Sequence, residues 1–325
     1  MDRHEQQRKV PDHTRDINPP PDAGAQVVKT ILLIGVGGMG CQVADYMYAT
    51  QLPHVEYCAI NTYRQDLKHL SLPNKFAIGE GFTGDLGAGS DVGIGREEEE
   101  RINAYFEKAL SRQAGYQIEL VYIVGTLSGG TATATIPALS RMCAEHDLTT
   151  VVVYAAPDCE PGDRVCSLAR DAIGQIEKWA TAIMPIGGDG LVQAFGNLPL
   201  QEYHERVDRL VASLLHAVVS IGKGSQKIDL DLNDVQMVLR AGGQMGRPVI
   251  LASGEGRGPN RIEEAVRSVL HSPMLHSNAI SGAGRMLVQF SFAKDLKHAL
   301  TARGFSQLRG LLKQAAGEQV DIIFG

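Results

Sequence analysis

No stretch of this sequence holds the run of about 18 apolar residues that a membrane-spanning helix needs. Direct membrane insertion is therefore not expected, and the N-terminus is too polar for a secretory signal peptide. Clusters of Lys and Arg are missing as well. With 31 basic against 37 acidic residues the formal net charge is −6, which offers no electrostatic footprint for nucleic acid or an anionic membrane surface. The five cysteines (41, 58, 143, 159 and 166) include no C-x-x-C pair, and their number is odd. No zinc or other metal site is indicated, and the simple expectation is five reduced thiols in a cytoplasmic protein. What remains is ordinary globular composition, 44% hydrophobic and 21% charged over 325 residues, enough for a substantial core and for two domains.

Residues 1–27 are polar, carry Pro19-Pro20-Pro21 and show no periodicity, as expected of a disordered arm. Order begins at VVKTILLIG, an apolar run of the kind buried on both faces of a parallel sheet. VEYCAIN (55–61), ELVYIVG (119–125), TTVVVYAAP (149–157) and TAIMPIG (181–187) read as further strands. Between them come helical segments, GREEEERINAYFEKALSR (95–112), the Ala/Thr-rich stretch after residue 130, and DRVCSLARDAIGQIEKWA (163–180). This alternation predicts an α/β fold with a doubly wound, mostly parallel, Rossmann-like sheet over 28–200. EYHERVDRLVASLLHAVVSIGK (202–223) reads as a long helix, apolar nearly all round near its end and so buried between two domains. A smaller α/β domain follows over 224–325. DLNDVQMVLRAG and RIEEAVRSVLHS are its expected helices, and MLVQFSF and VDIIFG its expected strands.

Four loops of this pattern fall at one edge of the sheet. GVGGMG (35–40) leaves the first strand and opens a helix, where glycines let backbone approach a phosphate and the helix N-terminus offers unpaired N–H groups. It also satisfies G-x-G-x-x-G, but a dinucleotide enzyme needs an acid at the far end of the second strand to hold the ribose. That strand ends in Asn61-Thr62, with Glu56 at its beginning. GDLGAGSDVGIG (84–95), SGGTATAT (128–135) and PDCEPGDR (157–164) complete the set. Loops after successive strands converge at the C-terminal edge of a doubly wound sheet, and several Gly-rich turns there suit a polyphosphate held by backbone amides. The plainer alternative is that these glycines only make tight turns.

The ordered set GVGGMG, Asn61-Thr62, LGAG (86–89) and SGGTATA resembles the bacterial FtsZ branch of the tubulin/FtsZ superfamily. DLDLNDV (229–235), SPMLH (272–276) and VDIIFG continue the similarity, which runs from about Lys29 to Gly325. The resemblance implies a GTP-binding domain, a central helix (201–223), an activating second domain and head-to-tail protofilaments. GTP and GDP would be the ligands, with Mg2+ accompanying GTP. The partners would be other copies of the chain, or another FtsZ. It implies nucleotide contacts from Gly35, Gly37, Gly38, Met39, Gly40, Gln42, Asn61, Gly87, Ala88, Gly89, Ser128, Gly129, Gly130, Thr131, Ala132 and Thr133. Glu160 and Arg164 would meet the ribose, while Asp189, Tyr203 and Asp208 would hold the nucleoside, with Tyr203 as a stacking face under guanine. Asp231 and Asp234 would enter the neighbour's site and polarise the attacking water, chemistry a carboxylate can supply. Alternatively they serve the helix DVQMVL, for which Asn233 and Asp234 are apt N-caps.

The sequence also departs from that pattern. Ser128, Ala132 and Ala134 replace glycines of the G-G-G-T-G-T-G core, Tyr63 and Asp85 replace an aspartate and a glycine, and Gly188 replaces an asparagine. Gln42 replaces an asparagine but keeps its amide, and Asp229 replaces another. The sequence ends short of the last strand and tail of FtsZ, so docking through that tail is not expected. If Ala132 and Ala134 lie in the first turn of a helix, alanine is favoured over glycine by about 1 kcal/mol. At positive φ it would cost roughly 1–2 kcal/mol. The helix case is the one expected, with Thr131 and Thr133 hydroxyls free for phosphate and the methyl at 132 close to the γ-phosphate. Three functions follow: a polymerising GTPase, a structural or regulatory paralogue that binds nucleotide weakly, and the disfavoured nicotinamide enzyme.

Overall fold

The computed structural model describes residues 28–79, 116–157, 160, 162–187, 189–221, 230–241, 245–275, 280–292 and 299–325. The expected arm (1–27), the loop carrying Asp85, Gly87, Ala88 and Gly89, the expected helix 95–112, Gly188 and Asp229 lie outside them.

The apolar run that begins the ordered chain becomes β1 (Val28–Val36), the centre of the molecule. Its side chains alternate between two cores. Ile31 and Leu33 join one cluster, Leu32, Ile34 and Val36 the other, and all are essentially inaccessible. A strand buried on both faces needs helices on both sides. The first core is closed by α1 (Gly37–Tyr48) and by the long helix α6 (Leu200–Val219). The second is closed by α3 (Gly130–Glu145) and α4 (Arg164–Trp179).

Around β1 stand β2 (Val55–Asn61), β3 (Asn74–Ala77), β4 (Tyr116–Thr126), β5 (Thr149–Ala155), β6 (Ala182–Ile186) and β7 (Arg247–Pro248). All pair in parallel, in the order β3-β2-β1-β4-β5-β6-β7. The chain winds outward one way through β2 and β3 and the other way from β4, so the order reverses between β1 and β4. There Val36 lies in register with Gly125, and a crevice at the C-terminal ends of the strands is the expected ligand position. A short helix α2 (Arg64–His69) links β2 to β3, and α5 (Asp189–Phe195) follows β6.

Beyond α6 the chain enters α7 (Leu232–Leu239), adds β7 to the main sheet, and forms α8 (Arg261–Leu270). A second, two-stranded parallel sheet pairs β8 (Arg285–Val288) with β9 (Asp321–Phe324), and α9 (Ala302–Ala316) precedes β9. Phe290, Phe305 and Phe324 pack together beside this sheet, with Phe305 and Phe324 at 4.9 Å between ring centroids. No helix among the described residues is long and apolar enough to cross a membrane.

The expectation of five reduced thiols is corrected at one position. Cys41, Cys58 and Cys143 are buried and carry no disulfide, but Cys166 in the first turn of α4 is disulfide-bonded. Burial pushes the Cys41 and Cys143 thiols up to about 12, which makes them packing groups rather than nucleophiles.

Candidate nucleotide site

The glycines of GVGGMG divide by task. A side chain at Gly35 would overlap the Gly40 carbonyl, and one at Gly40 would overlap the Val124 carbonyl of β4. These two glycines let α1 lie against the sheet. Gly37 sits at φ +72, where a β-carbon is strained, and turns the strand into the helix. Gly38 is exposed, with nothing within 4 Å of an added β-carbon, so it is the glycine of this loop that faces open space. Met39 and Gln42 are half-buried on the same helix. Gly40→Ala is therefore expected to destabilise the fold by about 3 kcal/mol or more, the upper range for overpacking. Gly38→Ala should stay within about 0.5 kcal/mol. Urea unfolding of the two variants measures the difference, and equal losses would contradict this division.

Across the switch point, Ser128 and Gly129 are exposed in a turn, and Gly129 is the N-cap of α3 without a side-chain cap. Ala132 and Ala134 both lie inside α3, and neither is among the non-glycine residues at positive φ. The helix case thus holds. The Ala132 methyl is turned inward: a β-carbon on Gly125 would come within 3.1 Å of it, and one on Gly37 within 3.8 Å. It braces the two glycine turns against each other from beneath. Thr133 differs from expectation too. It is buried, and its hydroxyl donates to the Leu127 carbonyl at 3.1 Å and the Gly129 carbonyl at 2.7 Å, closing the turn. The Thr131 hydroxyl instead meets that of Thr62 at 2.8 Å. Pro137 stands in the third turn of α3, where its ring removes one backbone hydrogen bond without breaking the helix.

Thr62 itself was not singled out as a contact residue by sequence reasoning, although it follows Asn61 in the quoted motif. Asn61 ends β2 and is buried, its amide nitrogen donating to Asp66 Oδ2 at 3.2 Å. Glu56 is second in the same strand, at the opposite end from the crevice. Tyr63, next along, is exposed at the mouth.

Glu160 and Arg164 are both exposed before and at the start of α4, joined through Asp163. The Glu160 N–H donates to Asp163 Oδ2, and the Asp163 N–H to the Glu160 carbonyl, each at 3.3 Å. Asp189 is the first residue of α5. On α6, Tyr203 is half-buried, packs against the first core as Met39 does, and meets His204 edge to face at 5.6 Å. Asp208, one and a half turns on, is 8% exposed. Its burial, and secondarily the nearby Glu205 charge, push its carboxyl up to about 7.

Asp231 and Asp234 lie elsewhere. Asp231 is the N-cap of α7, its Oδ1 accepting from the Asn233 N–H at 2.7 Å and the Asp234 N–H at 3.0 Å. Asp234 Oδ2 accepts in return from the Asp231 N–H at 2.9 Å. The cap is therefore Asp231, not Asn233 or Asp234, because the helix begins at Leu232, two residues before the segment DVQMVL. α7 is fastened to the N-terminal edge of the sheet. Gln236 Nε2 donates to the Glu119 carbonyl at 3.3 Å, and Arg240 Nε to Thr149 Oγ1 at 3.1 Å. Seven strand residues from Glu119 to Thr126 span about 23 Å, and the five helical residues from Asp231 to Gln236 recover at most about 8 Å.

A switch-point crevice rimmed by glycine turns and helix N-termini defines a nucleotide-binding α/β domain. Residues 30–195 match the model of the tubulin/FtsZ family, GTPase domain. Cell division protein FtsZ of Aquifex aeolicus is 30% identical over 297 residues, covering 91% of this chain and 77% of its own length. Cell division protein FtsZ 1 of Pyrococcus abyssi is 29% identical over 272 residues, covering 84% and 70%. Among solved structures, an empty FtsZ dimer of M. jannaschii shares the fold with a TM-score of 0.76 at 24% identity, over 91% of this chain and 82% of that one. A GTPγS-bound protofilament of CetZ2 from Haloferax volcanii does so at 0.70 and 20%, over 91% and 88%. The chain belongs to the tubulin/FtsZ family. Membership in this GTPase family implies GTP or GDP as ligand.

Proposed function

We propose that this protein binds guanine nucleotide in the β1/β4 crevice, polymerises head to tail, and hydrolyses GTP at the contact between successive subunits. The observation that carries this reading is the placement of Asp231 and Asp234 at the sheet edge opposite the glycine turns. No carboxylate fixed there can reach the nucleotide of its own chain, but head-to-tail stacking brings that edge onto the next subunit's crevice. The exposed amides around Gly38 and Gly129, with the N-termini of α1 and α3, would hold the phosphates. Glu160 and Arg164 would meet the ribose, Tyr203 and Asp208 the guanine, and Asp189 the nucleoside. Mg2+ would enter on the phosphate oxygens of GTP, where it neutralises charge.

Because the site is completed in trans, GTP turnover per molecule is expected to rise with protein concentration and to level off as sedimentable polymer saturates. Constant specific activity across that range would contradict assembly-dependent hydrolysis. The second reading, a paralogue that assembles or co-assembles with another FtsZ without hydrolysing GTP, is favoured by the engagement of Asp231 and Asp234 in their own helix cap. Polymer that forms with GTP bound and unconsumed would select it.

A further inference from the structure

The two glycine turns meet beside a pair of hydroxyls. Thr131, in the first turn of α3, is half-buried, and its β-carbon would lie 4.0 Å from a β-carbon added at Gly37. It thus stands where the turn after β1 faces the turn after β4. Thr62, the residue that follows β2, is 2% exposed. Its backbone is pinned through Asn61, whose carbonyl accepts the Ile78 N–H at 3.1 Å and whose side-chain amide donates to Asp66 Oδ2. The hydroxyl oxygens of Thr62 and Thr131, 69 residues apart in sequence, lie 2.8 Å from each other. Neither hydroxyl has a further partner among the described residues.

One hydrogen bond between two hydroxyls uses one proton and leaves the other to find an acceptor. If Thr131 donated to Thr62, the leftover proton would belong to the buried Thr62 and have no acceptor beside it, which is the costly arrangement. If Thr62 donates, the leftover proton belongs to Thr131 and can point into the crevice. Burial therefore selects the second arrangement. Of the two threonine hydroxyls expected to meet phosphate, that of Thr133 is taken by the Leu127 and Gly129 carbonyls, so Thr131 is the one left to donate. A hydroxyl that accepts a hydrogen bond donates a stronger one, and a phosphate oxygen is a charged acceptor. We propose that Thr62 is a positioning residue, which holds the Thr131 hydroxyl as a donor to a phosphate oxygen of the bound guanine nucleotide. The inference rests on the nucleotide reading above. Through it β2 contributes to phosphate binding, although Thr62 itself does not touch the ligand.

The test measures binding of a fluorescent GDP analogue to the full chain as wild type, Thr62→Val, Thr62→Ser, Thr131→Val and the double variant Thr62→Val with Thr131→Val. Urea unfolding of each runs alongside. Valine keeps nearly the shape of threonine and removes the hydroxyl. Thr131→Val is expected to weaken GDP binding about tenfold or more, the scale of a hydrogen bond to a charged group. Thr62→Val should weaken it about threefold to fivefold, because the Thr131 hydroxyl is kept but no longer aimed. Thr62→Ser, which keeps the hydroxyl and loses the methyl, should bind as wild type does. The double variant should bind no more weakly than Thr131→Val alone, since Thr62 acts only through Thr131. If Thr62→Val does not fold, Thr62→Ala takes its place in the same cycle. Equal affinity of Thr62→Val and wild type, a loss in Thr62→Ser as large as in Thr62→Val, or additive losses in the double variant would each overturn the proposal. If wild type binds no GDP, this inference and the nucleotide reading fail together. If wild type and Thr62→Val bind it equally, only this inference fails.

Discussion

Asp231→Asn is expected to lower GTP turnover by about a hundredfold or more, the scale of a lost general base. GTP affinity of the isolated subunit should stay within about twofold, because the residue lies at the opposite edge of the sheet from the crevice. Asparagine is the informative replacement. It caps a helix about as well as aspartate, so it removes the charge while keeping the bonds to the Asn233 and Asp234 N–H groups. Asp231→Ala would confound the measurement by also losing about 1 kcal/mol of helix cap. Asp234→Ala should show a similar kinetic loss with a smaller structural one, since Asp234 supplies the returning half of the capping box. Turnover at polymer-saturating concentration, with nucleotide binding by calorimetry and urea unfolding alongside, separates the roles. If Asp231→Asn turns over GTP at the wild-type rate, the residue is a cap and nothing more. If it abolishes binding to the isolated subunit, the placement of the acids at a neighbour's site is wrong.

Asp208 should make GDP binding depend on pH. Its carboxyl is pushed up to about 7 by burial, then by Glu205. Guanine presents donors at its Watson–Crick edge, so the ionised carboxylate is the form that would accept them. GDP affinity should therefore rise as pH increases from 6 to 7 and level off by 8, with proton release on binding across that window. Titration calorimetry in two buffers of different ionisation enthalpy detects the released proton. Asp208→Asn should weaken GDP binding by roughly 1.5–3 kcal/mol, the worth of hydrogen bonds to a charged group, and flatten the pH dependence. Stability moves the other way. A carboxyl whose folded pKa lies above its unfolded value stabilises below the unfolded value, and that contribution is lost as pH rises toward 7. The nucleotide-free variant should accordingly melt above wild type at pH 8, with the gap narrowing toward pH 4. Affinity that is constant from pH 6 to 8 would remove Asp208 from the base-binding role.

Much of the fold is legible because the signals are local and strong. A five-residue apolar core in β1, flanked by glycine turns, can hardly be anything other than a doubly buried strand. The Ala/Thr stretch after Gly130 is helical for the reason expected, since alanine outperforms glycine once the turn is made. The elements not anticipated are short or weakly patterned. β3 is four residues, NKFA, and forms because β2 offers it a free edge. β7 is two residues, Arg247–Pro248, that pair with β6 after a long excursion through α6 and α7. Nothing in its own composition announces a strand. α9, capped by Thr301, has a pattern interrupted by Gly304 and Gly310, whose helix cost is met by packing of Leu312 and Ala316.

The sequence by itself determined the alternation of strands and helices, the positions of the glycine turns and the family to which these belong. Each is written in periodicity and turn chemistry over a few neighbouring residues. Only the tertiary structure decided what those residues face. It assigned Gly40 to the close approach of α1 and β4, which depends on the Val124 carbonyl more than 80 residues away in the chain. It turned Ala132 toward Gly125 and Gly37 instead of outward, and it spent the Thr133 hydroxyl on closing its own turn. It buried Asp208 and so raised its carboxyl, a desolvation effect that no local pattern records. Above all it fastened α7, the helix that Asp231 and Asp234 open, through Gln236 and Arg240 to Glu119 of β4 and to Thr149 at the start of β5, while the glycine turns follow the ends of the strands. The length of a strand, which separates those two edges, is what makes the proposed site one that two subunits must share.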